Sequence, residues 1–122
     1  MASMKDTKTT NQVLFDTIRD LVKYSNKTGL QVWRAVARDL SSSASQRSQV
    51  NLGHIDKCVE NDEVIIVPGK VLGDGIFNKK ITIVAFGFTA SAILKMEKAG
   101  TKYFKINEYL KKNPDGKIRI LG

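Results

Sequence analysis

With one cysteine (Cys58) and one histidine (His54) in 122 residues, the chain is short of the side chains from which metal centres and nucleophilic active sites are built. His54 and Cys58, four apart, share a helix face, yet a structural zinc site takes four ligands. The pair therefore reads as a partly buried thiol beside a hydrogen-bonded imidazole. A single cysteine excludes an intramolecular disulfide and fits a reducing, intracellular setting. Nucleophile-plus-base chemistry would have to rest on His54, for which spacing marks no partner. Asp56, Glu60, Asp62 and Glu63 read as carboxylates of a solvated surface, with no sign of a cleft that would separate their pKa values. No apolar run approaches the ~20 residues that cross a bilayer. The opening residues, Met-Ala-Ser-Met-Lys-Asp-Thr-Lys, lack the apolar stretch of a secretory signal. The expectation is a soluble, cytoplasmic protein without catalytic residues, metal, cofactor, membrane contact or small-molecule substrate.

Acidic residues are the other shortage. Twelve Asp and Glu stand against 20 Lys and Arg, a net charge of +8 with a pI near 9.7. Such an excess points to a polyanionic partner, because neutralising phosphates releases their counterions and supplies most of the affinity. The excess sits at the ends: residues 1–50 and 101–122 are each net +4, and residues 51–100 are neutral. Aromatics make up 7% of the chain. Trp33, Phe86, Phe88 and Phe104 lie in apolar stretches and read as core, while Tyr24, Phe77, Tyr103 and Tyr109 are candidates for exposure without forming an array. That favours recognition by shape and backbone over base-by-base stacking.

What is present is a core-forming pattern, at 42% hydrophobic residues. Residues 1–10 are polar and aperiodic and read as a flexible basic tail ahead of one domain over 11–122. From Asn11, a candidate N-cap, Leu14, Ile18, Leu21 and Val22 fall on one helical face, and Gly29 suits the left-handed residue after the helix. A second helix carries Val32, Trp33, Val36, Ala37 and Leu40 inward, with Arg34 and Arg38 stacked on its other side. Residues 41–49, Ser-Ser-Ser-Ala-Ser-Gln-Arg-Ser-Gln, form a low-complexity break with Arg47 in it: a linker, or a segment that orders on nucleic acid.

Short strands follow at 50–52, 64–67, 81–88, 103–106 and 118–121, with helical segments at 54–59, from Thr89 or Ser91 to Gly100, and at 107–112. The continuous apolar runs 64–67 and 81–88 suit strands covered on both faces. The whole is an α/β fold.

Between the two long runs lies the glycine-rich connection Pro68-Gly69-Lys70-Val71-Leu72-Gly73-Asp74-Gly75. It fails as a P-loop, since Val71 follows Lys70 and a strand follows the loop instead of a helix. It fails as a dinucleotide fingerprint, since Asn78 stands where a third glycine belongs. It reads either as a hairpin-like connection or as an anion-facing loop carrying Lys70, Lys79 and Lys80.

Taken in order, Val-Trp-Arg-Ala-Val-Ala-Arg-Asp-Leu (32–40), Val-Asn-Leu-Gly-His-Ile (50–55), Val-Pro-Gly-Lys-Val-Leu-Gly-Asp-Gly (67–75), Lys-Ile-Thr-Ile-Val-Ala-Phe (80–86) and the closing Asn-Pro-Asp-Gly-Lys-Ile-Arg-Ile resemble a known family. It is the archaeal and eukaryotic large-subunit ribosomal protein family L-eighteen-e, relatives of bacterial L-fifteen. The likeness runs from about Asn11 to the end, and the compact length looks archaeal. It departs at Thr89-Ala90-Ser91-Ala92, where many relatives place serine directly after the strand and phenylalanine. The resemblance implies an irregular strand–strand–helix superhelical core behind two amino-terminal helices. It also implies large-subunit ribosomal RNA and neighbouring large-subunit proteins as partners, with the tail, the serine-rich break and the glycine loop facing RNA.

The candidate RNA-binding residues are then Lys5, Lys8, Arg34, Arg38, Arg47, Lys70, Gly73, Gly75, Lys79 and Lys80. The alternatives are a nucleotide-binding enzyme using residues 68–75 and an RNA-binding regulator outside the ribosome.

Overall fold

The two apolar runs are the centre of the molecule. In the computed structural model, which describes residues 10–41, 48–115 and 117–121, Val64–Leu72 forms strand β2 and Thr82–Phe88 forms β3, paired in parallel. Their side chains alternate between two cores, as a period of two requires. Ile65, Val67, Val71, Ile83 and Ala85 enter one core. Ile66 and Val84 enter the other. Both faces are covered, which is why these stretches are apolar without a break.

The remaining elements in chain order are α1 (Thr10–Thr28), α2 (Gln31–Leu40), β1 (Ser48–Asn51), α3 (Leu52–Cys58), α4 (Ala90–Ala99), β4 (Lys102–Lys105), α5 (Ile106–Leu110) and β5 (Arg119–Ile120). The sheet runs β1-β2-β3-β4, all parallel, and β5 also pairs with β2. β3 occupies one edge of β2 along its length, so β1 and β5 share the other end to end, at Gly69–Leu72 and at Ile65–Ile66. Helices α1, α2 and α5 cover one face through Leu14, Leu21, Trp33, Val36, Leu40, Ile106 and Leu110. Helices α3 and α4 cover the other through Leu52, Ile55, Ala92 and Met96. This is the expected α/β class, with two leading helices followed by strand–helix units.

Local signals set most of the boundaries. Gly29 (φ +77°) turns the chain between α1 and α2, and Ser25 Oγ donates to the Leu30 carbonyl at 3.0 Å to hold that turn. Thr89, not Ser91, caps α4, accepting from the Ala92 amide at 3.2 Å, and Gly100 (φ +79°) closes the helix. The unusual serine spacing after β3 is therefore harmless, since threonine does the capping.

Three sequence expectations change here. β2 does not stop at Val67: it runs through Pro68-Gly69-Lys70 to Leu72. The register shifts between Val67 and Lys70, where three steps of β2 oppose the two from Ala85 to Gly87. That extra residue is a bulge, one of the few places where a sheet tolerates a proline without an N–H. The connection is also no hairpin, because β2 and β3 are parallel. Residues 73–81 must travel back along the whole of β2; nine residues in extended form reach roughly 30 Å, enough to return without a helix. Similarly, β1 begins at Ser48, inside the segment read as a serine-rich break.

Candidate nucleic-acid interface

The glycine-rich connection is pinned to the fold at nearly every residue. A Cβ on Gly73 would lie 2.2 Å from Ser91 Oγ and 2.7 Å from the Ala92 nitrogen, so this glycine lets the chain lie against the first turn of α4. Gly75 (φ +92°) lies against Gly53 in the first turn of α3, where a Cβ would come within 2.5 Å of Gly53 Cα. The Gly53 amide donates to the Asp74 carbonyl at 2.9 Å. Lys95 Nζ donates to the Gly75 carbonyl at 2.7 Å. Further along, the Asn78 amide donates to Asp56 Oδ1 at 3.0 Å and the Lys80 amide to Asn61 Oδ1 at 2.9 Å. Phe77 is buried in the core, against the expectation of an exposed ring.

These contacts change the roles of several residues picked from sequence. Gly73 is buried, and its missing side chain makes room for Ser91 and Ala92. Lys79 Nζ donates to the Val59 carbonyl at 2.9 Å and is half-buried, a tie between the connection and the end of α3. Asp56 and Glu63 are not idle surface carboxylates: Asp56 holds the Asn78 amide, and Glu63 pairs with Arg119 at 3.2 Å. His54 and Cys58 do share a helix face, with Nε2 and Sγ 3.5 Å apart, but the thiol is exposed, not partly buried. Lys5, Lys8 and Arg47 lie outside the described residues.

Nor does one loop hold Lys70, Lys79 and Lys80 together. Lys70 sits near the carboxyl end of β2 opposite Gly87, whereas Lys80 precedes the start of β3. Seven strand residues separate those levels, roughly 23 Å. The exposed cations instead form several patches. Arg34 and Arg38 stand on the solvent side of α2, and Arg34 Nη2 donates to Asn26 Oδ1, which fixes the guanidinium while leaving other donors free. Lys70 and Lys80 are exposed, and neither ammonium has a partner among the described residues. Lys23 and Lys27 of α1 face Lys111 across a groove that also includes Tyr24, Asn107, Leu110 and one carboxylate, Asp20.

A further patch was missed by sequence reasoning. Lys95 and Lys98 of α4 line a groove with Gly75, Ile76, Phe77, Asn78 and Ala99. Twenty residues of chain separate its two sides, so nothing in local spacing announces it. The aromatic residues do not form an external stacking array. Tyr24, Trp33, Tyr109 and Phe104 instead make a chain of ring contacts, with centroids 5.6, 6.5 and 5.6 Å apart. Lys112 Nζ closes it 4.9 Å over Phe104. Burial raises the Tyr24 and Tyr109 phenols above their ordinary pKa, and the Asp115 carboxylate adds to both.

The arrangement is a rigid basic scaffold with dispersed cations and no cluster of three metal-ligating side chains among the described residues. The family model that covers the ribosomal proteins L-fifteen and L-eighteen-e of the 50S subunit and L-twenty-seven-A of the 60S subunit matches residues 38–103, and the chain belongs to that family. Relatives extend the likeness over nearly the whole length. Large ribosomal subunit protein eL18 of Picrophilus torridus is 37% identical over 120 residues, 98% of each chain. The eL18 of Methanopyrus kandleri is 40% identical over 118 residues, 92% of this chain and 93% of that one. The eL18 of Haloarcula marismortui is 34% identical over 113 residues, covering 92% and 97%.

Proposed function

We propose that the chain is a structural, non-enzymatic constituent of the large ribosomal subunit in the cytoplasm, bound to large-subunit ribosomal RNA and to neighbouring subunit proteins in support of translation. The observation that carries this reading is the end-to-end match to proteins named as large-subunit constituents, at 98% coverage of both chains for one of them. The charge distribution supports it. Arg34, Arg38, Lys70 and Lys80 are exposed on different sides of a well-packed core, as suits a protein embedded among several RNA segments. Lys5, Lys8 and Arg47 belong to the same set by sequence. Gly73, Gly75 and Lys79 serve the interface indirectly, by shaping the connection that carries Ile76 and Lys80.

RNA binding through phosphates is tested by titrating the complex with large-subunit ribosomal RNA against salt. With six to eight phosphate contacts, log K should fall against log salt with a slope of roughly −4 to −6. The triple change Arg38→Ala, Lys70→Ala and Lys80→Ala should reduce that slope by about two to three. A slope near zero for the unaltered protein overturns the reading.

A further inference from the structure

Ile76 is the most exposed large apolar side chain among the described residues, at 75%. It does not project from a loose loop. On one side Gly75 is locked against Gly53 and its carbonyl is held by Lys95 Nζ; on the other Phe77 is buried at 6% exposure. The backbone is thus fixed on both flanks of a side chain that the fold turns into water. The groove beside it is lined by Gly75, Phe77, Asn78, Lys95, Lys98 and Ala99, and no carboxylate lines it. Lys80 reaches the end of α4, its Cε 3.8 Å from where a Cβ on Gly100 would lie. Neither Lys80 nor Lys98 has an ammonium partner among the described residues, and Lys95 keeps donors beyond the one given to Gly75.

An apolar knob beside three cations suits a ligand that joins a flat apolar face to an anion. A nucleotide does both. A continuous duplex offers its phosphates outward and its base faces to each other, so Ile76 would gain nothing from it. We propose that the Ile76 groove seats an unstacked nucleotide of large-subunit ribosomal RNA, its base or ribose against Ile76 and its phosphates on Lys98 and Lys80. This rests on the RNA-binding reading above and specifies the kind of RNA element recognised. The connection's rigidity then has a use, since a preformed seat avoids the cost of ordering a loop on binding.

The test compares the full chain with Ile76→Ser and with Lys80→Ala/Lys98→Ala on large-subunit ribosomal RNA, reading affinity, salt slope and nucleotide-resolution base reactivity. Thermal melts check that each variant stays folded. Ile76→Ser should weaken binding about five- to tenfold, in line with losing one base contact, while leaving the salt slope unchanged. It should also restore base reactivity at one or two adjacent unpaired nucleotides. The lysine pair should lower the slope by about two and expose the same nucleotides. If the unaltered protein binds with a steep slope but Ile76→Ser changes neither affinity nor reactivity, the seat is wrong and the RNA-binding reading survives. If crosslinks from position 76 in assembled subunits reach a protein and no RNA, the groove is a protein contact and the proposal falls. If the unaltered protein shows no salt-dependent binding, both fall.

Discussion

Gly53 and Gly75 touch backbone to backbone: a Cβ on Gly53 would lie 2.9 Å from Gly75 Cα, and one on Gly75 would lie 2.5 Å from Gly53 Cα. Through this contact the first turn of α3 fixes the course of the connection between β2 and β3. Neither partner can yield, because the opposing atoms are main chain. Gly75 also has φ +92°, where any side chain is strained. Gly75→Ala should therefore destabilise by about 2–4 kcal/mol, the sum of backbone strain and overpacking. Gly29→Ala, with a similar φ of +77° but nothing within 4 Å of its Cβ, should cost only about 1–2 kcal/mol. Urea denaturation of the two variants checks the ordering, and equal losses would show that the Gly53 contact is unimportant.

Trp33 is completely buried and its Nε1 has no hydrogen-bond partner among the described residues. Its contribution is thus volume and ring contact, not a polar bond. Trp33→Phe should cost about 1–2 kcal/mol, against about 3–5 for Trp33→Ala. If phenylalanine proved as damaging as alanine, the indole N–H would have to be bonded.

The Thr89 hydroxyl is the side-chain cap of α4, the helix that supplies Lys95 and Lys98 to the groove. Thr89→Ala should lower stability by about 1 kcal/mol and Thr89→Ser should be close to neutral. Chemical melts of both variants decide this. A loss with serine equal to that with alanine would assign the effect to the threonine methyl.

The raised phenols of Tyr24 and Tyr109 make stability sensitive to alkali. Below the ordinary tyrosine value near pH 10, folded and unfolded chains both hold the protons and stability is full. Above it the unfolded chain releases them first, so stability falls as pH rises toward the higher folded values. The double change Tyr24→Phe/Tyr109→Phe should flatten this alkaline limb between about pH 9 and 11.5, from about one unit below the onset to about one and a half above it. Urea midpoints across that range measure it, and an unchanged limb would place the titrating groups elsewhere.

The layered core was legible in the sequence where packing follows period. The face of α2 reads directly from Trp33, Val36, Ala37 and Leu40, all buried, and the double-sided strands from their unbroken apolar runs. The path of the chain between β2 and β3 was not. Pro68 and Gly69 look like punctuation, and only the bulge at Val67–Lys70 lets them stay in a strand. A helix-free return between parallel strands also leaves no periodic trace. The site was less legible still. Lys95 meets the Gly75 carbonyl across 20 residues of sequence, and the exposed Ile76 stands out only once its neighbours are seen to be buried or bonded. The glycines were legible as a feature, but nothing in the sequence shows that Ser91 and Gly53 fill the space beside Gly73 and Gly75.

The most direct test of the central claim is co-sedimentation of the tagged chain in high-salt sucrose gradients of cell extract. The account predicts that the chain travels with the large subunit, remains there at salt concentrations that strip loosely bound factors, and is absent from the small-subunit peak. A chain found at the top of the gradient, or released intact from the large subunit by moderate salt, would contradict its being a structural constituent of that particle.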